Sequence, residues 1–342
     1  MYICKRLLYM TDKTITIRDL AKIAGVSTAT VSRALGDSES IREETRVKII
    51  RLAREHNFEP SAVASSLSSR RRNIIGILID DIANPFFVQV VKGIEAELDD
   101  MGYSMIIASS NWNPQKEEEL VRTLIRNRVA GVVIAPIDEN SESLNLLRRH
   151  GINFVVINSR GKKGDSFVCT DNIKGGRLAA NHLIAKGVRR LAYLVGFPHS
   201  SGEDRVKGMK LAIEEAGRAD IELIECRGVK TFEEGYESAA SIIARHKLDL
   251  PGSGIFALND VVAAGFLKAS VELNIRIPEN LSIIGFDDIF FSNLFRIPLT
   301  TVLQPKEEMG SLAIHMLLKK IEEDDVMTME QVLQPHLVVR GT

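Results

Sequence analysis

TIRDLAKIAGVSTATVSRAL, residues 16–35, decides how the rest of the chain is read. Thr16-Ile17-Arg18-Asp19 has the form of a capping box, in which the Thr hydroxyl and the Asp carboxylate each satisfy a backbone N–H left orphaned at a helix start. Ile17, Leu20, Ala21 and Ala24 then follow helical spacing, and Gly25 supplies the turn conformation that ends the helix. Ser27 opens a second short helix over residues 28–35, with Val31, Ala34 and Leu35 facing inward. Two short helices joined by a turn of about three residues make a helix-turn-helix.

The outer face of the second helix carries Thr28, Ala29, Thr30, Ser32 and Arg33, all small or hydrogen-bonding. Such a helix can lie deep in a major groove, with Arg33 reaching a guanine edge or a phosphate. A plain three-helix bundle with a polar face has the same spacing. A third helix is expected from Glu43 to His56, burying Val47, Ile50 and Leu52 or Ala53. Ser61 to Ser69 is serine-rich and ends in Arg70-Arg71-Arg72. Serine offers the backbone competing hydrogen bonds, so this stretch makes a poor autonomous helix. It reads either as a segment that folds on DNA, with Leu67 as a minor-groove wedge, or as a flexible linker with a basic end.

Charge is divided unevenly. Residues 1–72 hold 14 Lys and Arg against 8 Asp and Glu, leaving 30 against 37 of the chain's 44 and 45 for the remainder. A basic head on an acidic body suits polyanion binding, because phosphate contacts by Lys and Arg release counterions. The 342 residues are 45% hydrophobic and 26% charged, the composition of an ordinary globular protein, and no apolar run reaches membrane-spanning length. Met1 to Met10 lack the apolar stretch and cleavage site of a secretory signal, and Met10 is an alternative start. A cytoplasmic location is expected. Cys4, Cys169 and Cys226 are odd in number and outside metal or disulfide spacing, so neither a disulfide frame nor a metal site is expected.

From Asn73 onward short apolar runs alternate with amphipathic stretches: 74–79, 105–108, 132–134, 154–157, 191–195, 255–258 and 282–286. Continuous apolar runs fit strands buried on both faces, and the alternation implies parallel sheets with crossover helices. About 265 such residues suggest two doubly wound lobes. Ligands in these sheets sit at the carboxyl ends of strands. Polar or aromatic residues stand there: Asp80, Asn84-Pro85-Phe86-Phe87, Asn158-Ser159-Arg160, Asn259-Asp260 and Asp287-Asp288. Asn259 and Asp260 equally fit helix caps, and Phe86 or Phe87 fits the core. Enzyme signatures are missing: there is no G-x-G-x-x-G, P-loop, H-E-x-x-H or G-x-S-x-G. No catalytic residue and no cofactor are therefore assigned. A secreted solute-binding protein would share the large domain but have no use for residues 16–72.

TIRDLAKIAGVSTATVSRAL together with REETRVKIIRLAREHNFEPSAVASSL closely resembles the lactose/galactose-repressor (LacI/GalR) family of bacterial regulators. The similarity runs from about residue 15 to 340, through NPFF, TDNIKGG, Arg205-x-x-Gly208, FALNDVVAAG, IGFDD and PLTTVLQPKEEMG. Arg42 departs from it, standing where the family usually has a serine; Ser40-x-x-Glu43 is the alternative cap.

The resemblance implies a transcription regulator, expected to be a repressor, whose operator affinity is controlled by an effector. Its fold would be a small all-α helix-turn-helix head (15–60), a hinge (61–72) and an α/β periplasmic-binding-protein-like core (73–340) with two doubly wound parallel sheets. The first lobe is expected at about 73–172 plus 304–325, the second at about 173–302 plus 330–340. Thr28 and Ala29 would read bases with help from Arg33, while Ser27, Thr30 and Ser32 touch phosphates; Thr16 and Leu67 complete the expected DNA contacts. Asn84, Phe86, Phe87, Arg160, Arg205, Asn259, Asp287 and Gln304 would contact the effector. The pattern often has Asp where Ser159 stands, accepting from sugar hydroxyls in sugar-binding relatives. Its loss beside Arg160 and Arg205 would make the pocket more cationic, suiting a sugar acid as well as a sugar. A homodimer on a pseudo-palindromic double-stranded DNA operator is likewise implied, with no membrane partner. The absence of a C-terminal heptad favours a dimer over a tetramer.

Overall fold

The computed structural model describes residues 15–35, 41–56, 58, 73–99, 101–196, 200–323 and 327–342. The hinge expected at 61–72, its Leu67, and the Ser40 cap lie outside these residues. The chain divides into two units, Met1–Arg72 and Asn73–Thr342.

The first unit contains α1 (Ile17–Ala24), α2 (Thr28–Leu35) and α3 (Glu43–Glu55). Asp19 Oδ2 accepts from the Thr16 N–H at 2.9 Å while Thr16 Oγ1 accepts from the Asp19 N–H at 3.3 Å, closing the capping box. Gly25 ends α1 at φ 72°, a left-handed conformation open to glycine at little steric cost. Leu20, Val31 and Ile49, one from each helix, meet in the centre with no exposed surface. The inward face of α3 differs from the expected one: Ile49 and Ala53 are buried, whereas Val47 is 56% exposed. Residues four apart share a helix face, so seating Ile49 and Ala53 turns Val47, two residues before Ile49, toward solvent. Arg42 stands at the α3 N-cap without a side-chain capping bond.

The second unit runs β1 (Ile74–Ile79), α4 (Pro85–Leu98), β2 (Ser104–Ser109), α5 (Pro114–Arg126), β3 (Gly131–Ile134), α6 (Glu142–Arg149), β4 (Asn153–Ile157) and β5 (Phe167–Thr170). It continues through α7 (Asn172–Ala185), β6 (Arg190–Val195), α8 (Ser200–Glu215), β7 (Glu222–Arg227), α9 (Phe232–His246), β8 (Ser253–Phe256), α10 (Asp260–Glu272) and β9 (Leu281–Asp287). After a 3-10 turn at Phe290–Asn293 come β10 (Thr300–Leu303), α11 (Lys306–Glu322), β11 (Glu330–Leu333) and β12 (His336–Val338).

Two six-stranded sheets result, ordered β11-β5-β4-β3-β1-β2 and β12-β10-β9-β8-β6-β7, parallel throughout except for the antiparallel β10–β12 pair. Each of the seven apolar runs contributes to a strand, although β8 takes only residues 255–256 of the run at 255–258. Strand order reverses between β1 and β3 in one sheet and between β6 and β8 in the other, opening a crevice at the carboxyl ends of each. Ile75, Ile77, Leu78 and Ile79 show the two-sided burial expected of such strands. Each buried side chain of this size contributes about 1.5–3 kcal/mol.

Two expectations are corrected. Residues 330–333 belong to the first sheet, where β11 pairs in parallel with β5 in the register Glu330↔Phe167 to Leu333↔Thr170. Only β12 joins the second sheet, so the last crossing between lobes falls at Gln334-Pro335. The reason is proximity: α11 packs on the first sheet, and the chain leaving it meets the open edge of β5 first. Strand β2 is an edge strand rather than a two-sided one, leaving Ile106 and Ile107 38% and 39% exposed.

Close helix packing brings the lobes' elements into place. Gly176 of α7 lies against the Arg205 backbone of α8, and Gly208 of α8 against the Ile173 carbonyl, where any side chain would collide with main chain. Among the described residues, no helix is long and apolar enough to cross a membrane.

Candidate ligand cavity and nucleic-acid interface

In the head, Ser27, Thr28, Ala29 and Arg33 are exposed, and Thr30 and Ser32 are half-buried, so the small-residue face of α2 is open to solvent. Ser27 Oγ accepts from the Thr30 N–H at 3.1 Å and bonds the Thr30 hydroxyl at 2.9 Å, fixing the start of α2. The N–H groups and positive dipole end of that helix favour an anion at Thr28. Arg33 folds back along its own helix, donating from Nε to the Ala29 carbonyl at 3.2 Å. Thr16 is exposed but committed to its capping box. Lys48 of α3 donates to the Ala24 carbonyl at 3.1 Å, tying α3 to the end of α1.

In the core, a cavity opens at the crevice between the strand ends. Asp80, Asn84, Phe86 and Phe87 follow β1; Trp112 follows β2; Ala135, Pro136 and Ile137 follow β3; Ile157 and Asn158 end or follow β4. From the second lobe come Ser201, Gly202 and Arg205 of α8, Leu258 and Asn259 after β8, Asp287 ending β9, and Gln304 after β10. Seven of the eight expected effector contacts line this cavity.

Asn84 and Asn259 are the N-caps of α4 and α10, accepting from Phe86 N–H at 3.0 Å and Val262 N–H at 2.8 Å. Capping and cavity lining coexist, because a capping oxygen leaves the amide NH₂ as donor. Phe86 and Phe87 are each 2% exposed and meet edge-to-face, with centroids 4.9 Å apart, so both are core residues as well as cavity wall. Asp260 is no cap. Its buried carboxylate accepts from the Ile289 N–H at 2.9 Å and from the Ser292 and Thr301 hydroxyls at 2.5 Å, bracing the segment that follows β9.

Arg205 is 4% exposed; it donates from Nε to Asn172 Oδ1 at 2.9 Å and from a terminal nitrogen to the Leu258 carbonyl at 2.5 Å. Asp287 holds φ 116°, an uncommon backbone state for a residue with a side chain, and its carboxylate accepts from Gln304 Nε2 at 2.7 Å. Gln304 is itself held through Oε1 by the Thr170 hydroxyl at 2.5 Å. Lys306 donates to the Asp287 carbonyl and, at 2.9 Å, to that of Asp288. Burial pushes the Asp287 carboxyl up to about 7, with Asp260 adding to the effect and Arg205 opposing it. Asp80 is likewise raised well above the usual carboxylate range, by burial first, then by Asp81 and Asp287.

Arg160 does not line the cavity. Its side chain is 47% exposed and pairs with Asp204 Oδ2 at 2.9 Å. Ser159 also lies outside the lining, buried at 1% exposure. The expected cationic pocket is thus replaced by one with a single arginine and two carboxylates, Asp80 and Asp287. Asp80 and Asn158, read from sequence as strand-end residues but not as effector contacts, also line the cavity, as does Trp112, which the sequence reading did not name. Asp80 was legible as the first residue after β1, and Trp112 as the chain's single tryptophan just beyond β2.

The description "Bacterial regulatory proteins, lacI family" matches residues 16–61, and "Periplasmic binding protein-like domain" matches residues 180–342. The chain is 33% identical over 330 residues to the HTH-type transcriptional regulator DegA of Bacillus subtilis, covering 95% of this chain and 97% of that protein. It is 30% identical to the ribose operon repressor of Escherichia coli, over 96% of this chain and 99% of the repressor. Among solved structures it is similar to a LacI family regulator from Enterococcus faecium with bound ribose, at TM-score 0.68 and 30% identity, covering 78% of this chain and 97% of that one. These relatives are named as regulators, not as enzymes.

Proposed function

We propose, given that this chain belongs to the lacI family of bacterial regulatory proteins, that the core cavity holds a small polyhydroxylated effector whose binding sets operator affinity. The protein is a DNA-binding transcription regulator under effector control, and we read it as a repressor acting in the cytoplasm. The observation that carries the effector reading is convergence: polar and aromatic side chains from both sheets meet at the carboxyl ends of their strands around one cavity.

Residues 15–60 form the DNA-binding domain, 61–72 the hinge and 73–340 the effector and dimerisation core. Thr28, Ala29 and Arg33 face base edges, and Ser27, Thr30, Ser32 and Thr16 face phosphates. Asn84, Phe86, Phe87, Arg205, Asn259, Asp287 and Gln304 hold the effector; Arg160 serves instead as a rim cation paired with Asp204. Ile82, Val88, Ile106 and Ile107 on the first lobe, with Phe290, Phe291 and Leu294 on the second, are large apolar residues left exposed, and a homodimer covers them. Two heads so joined read a pseudo-palindromic operator.

Selection of duplexes from a randomised library by the full chain tests this. Enrichment of a symmetric site, bound with steep salt dependence and with an affinity that shifts on adding D-ribose or another neutral sugar, is expected. No enrichment, or an affinity indifferent to salt, refutes it.

A further inference from the structure

The Asp80 carboxylate takes a hydrogen bond from the Asp81 backbone, but one of its two oxygens is left open. The residue is 6% exposed, and its Oδ1 is buried without a hydrogen-bond partner among the described residues. Its backbone is anchored separately, the Asp80 carbonyl accepting from the Trp112 N–H at 3.2 Å. Buried polar atoms are otherwise almost always satisfied, so one left open on a cavity wall points to a group supplied from outside. The charged groups that bear most on it are all acidic: Asp81 beside it, Asp287 from the second sheet and Glu117 from α5. Arg205, the arginine in the cavity lining, is already engaged by Asn172 and the Leu258 carbonyl.

We propose that Asp80 is a ligand-reading residue that accepts from a hydroxyl or ammonium donor of the effector and, with Asp287 opposite, turns away ligands presenting an anionic group. An orphan acceptor is relieved by a donor, and a third carboxylate brought beside two acidic groups is repelled once they ionise, for Asp287 above about pH 7. Phe86 and Trp112 supply flat walls for a ring. The effector class narrows to neutral polyols and amino-polyols, at the expense of sugar acids. This assignment rests on the cavity being the effector site.

Calorimetry on the full chain and on Asp80→Asn, with D-ribose, D-glucose, D-glucosamine, D-gluconate and D-glucuronate, tests it. At least one neutral or amino probe is expected to bind the natural chain roughly tenfold or more tighter than either acid, and Asp80→Asn to weaken it by roughly tenfold. A ligand-free arm accompanies it: Asp80→Asn should raise the melting temperature at about pH 8 and leave it unchanged near pH 4, because removing a buried open carboxylate relieves the fold only where that carboxylate would ionise. Acids binding as tightly as the neutral probes, a neutral affinity that Asp80→Asn leaves within about twofold, or a lowered melting temperature in the variant each overturn the role of Asp80. Binding by none of the five probes to either protein overturns the cavity reading, and the assignment with it.

Discussion

The guanidinium of Arg205 lies 3.5 Å over the ring of Phe286, so an α8 residue is seated on the last apolar position of β9, next to Asp287. Stacking, two hydrogen bonds and burial hold this arginine in one orientation at the cavity wall.

Arg205→Lys should therefore lose the ligand response while keeping DNA binding. An ammonium reproduces neither the stack nor the fork, so the cavity wall loses its fixed donor geometry and ligand affinity should fall by about 1–3 kcal/mol, roughly 5- to 150-fold. Calorimetry against a binding neutral sugar and anisotropy on the selected duplex separate the two effects. A ligand affinity within a factor of about two would refute the assignment.

Stability should fall as pH rises through the window of two buried aspartates, Asp287 on the cavity wall and Asp260, next in sequence after Asn259. Asp287 keeps its proton in the folded state up to about 7 and Asp260 up to about 6, against 3.8 for an ordinary aspartate. Between about pH 4 and 7 the folded chain consequently binds more protons than the unfolded one, and stability declines with rising pH. A drop in melting temperature of about 5 °C from pH 5 to 8 is expected, with a smaller drop in Asp287→Asn. A flat or rising profile would contradict the geometry. Lys306, donating to the Asp287 and Asp288 carbonyls, opposes the rise of Asp287 and so limits the drop.

Ile106→Asp should separate the dimer. The residue is 38% exposed on edge strand β2, so the substitution spares the monomer's buried core while placing a carboxylate among the exposed apolar residues of the first lobe. Light scattering should show a shift from dimer to monomer at micromolar concentration, with operator affinity falling as the two half-sites uncouple. A variant that stays dimeric would move the interface elsewhere.

Arg33→Ala should weaken specific duplex binding by about 1–3 kcal/mol and leave sugar binding unchanged, since Arg33 belongs to the first unit and the cavity residues to the second. Comparing the selected duplex with a scrambled one decides whether it reads bases or phosphates: loss of discrimination marks the former, a uniform loss with a shallower salt slope the latter.

The sequence by itself determined the elements whose causes are local. The Thr16–Asp19 box, Gly25, and the apolar runs that became seven strands depend on hydrogen bonds within four residues or on a short hydrophobic period, both visible in one dimension. It also placed candidate site residues at strand ends, which topology alone makes functional. Tertiary structure decided which of them converge. Arg160 is drawn to Asp204 on another element, while Asp80, read only as a strand-end residue, and Trp112, not named at all, enter the cavity. It likewise set β11 in the first sheet, exposed β2 at an edge and turned Val47 outward. Pairing partners, edges and charge neighbours are relations between segments far apart in the chain, and no local period records them.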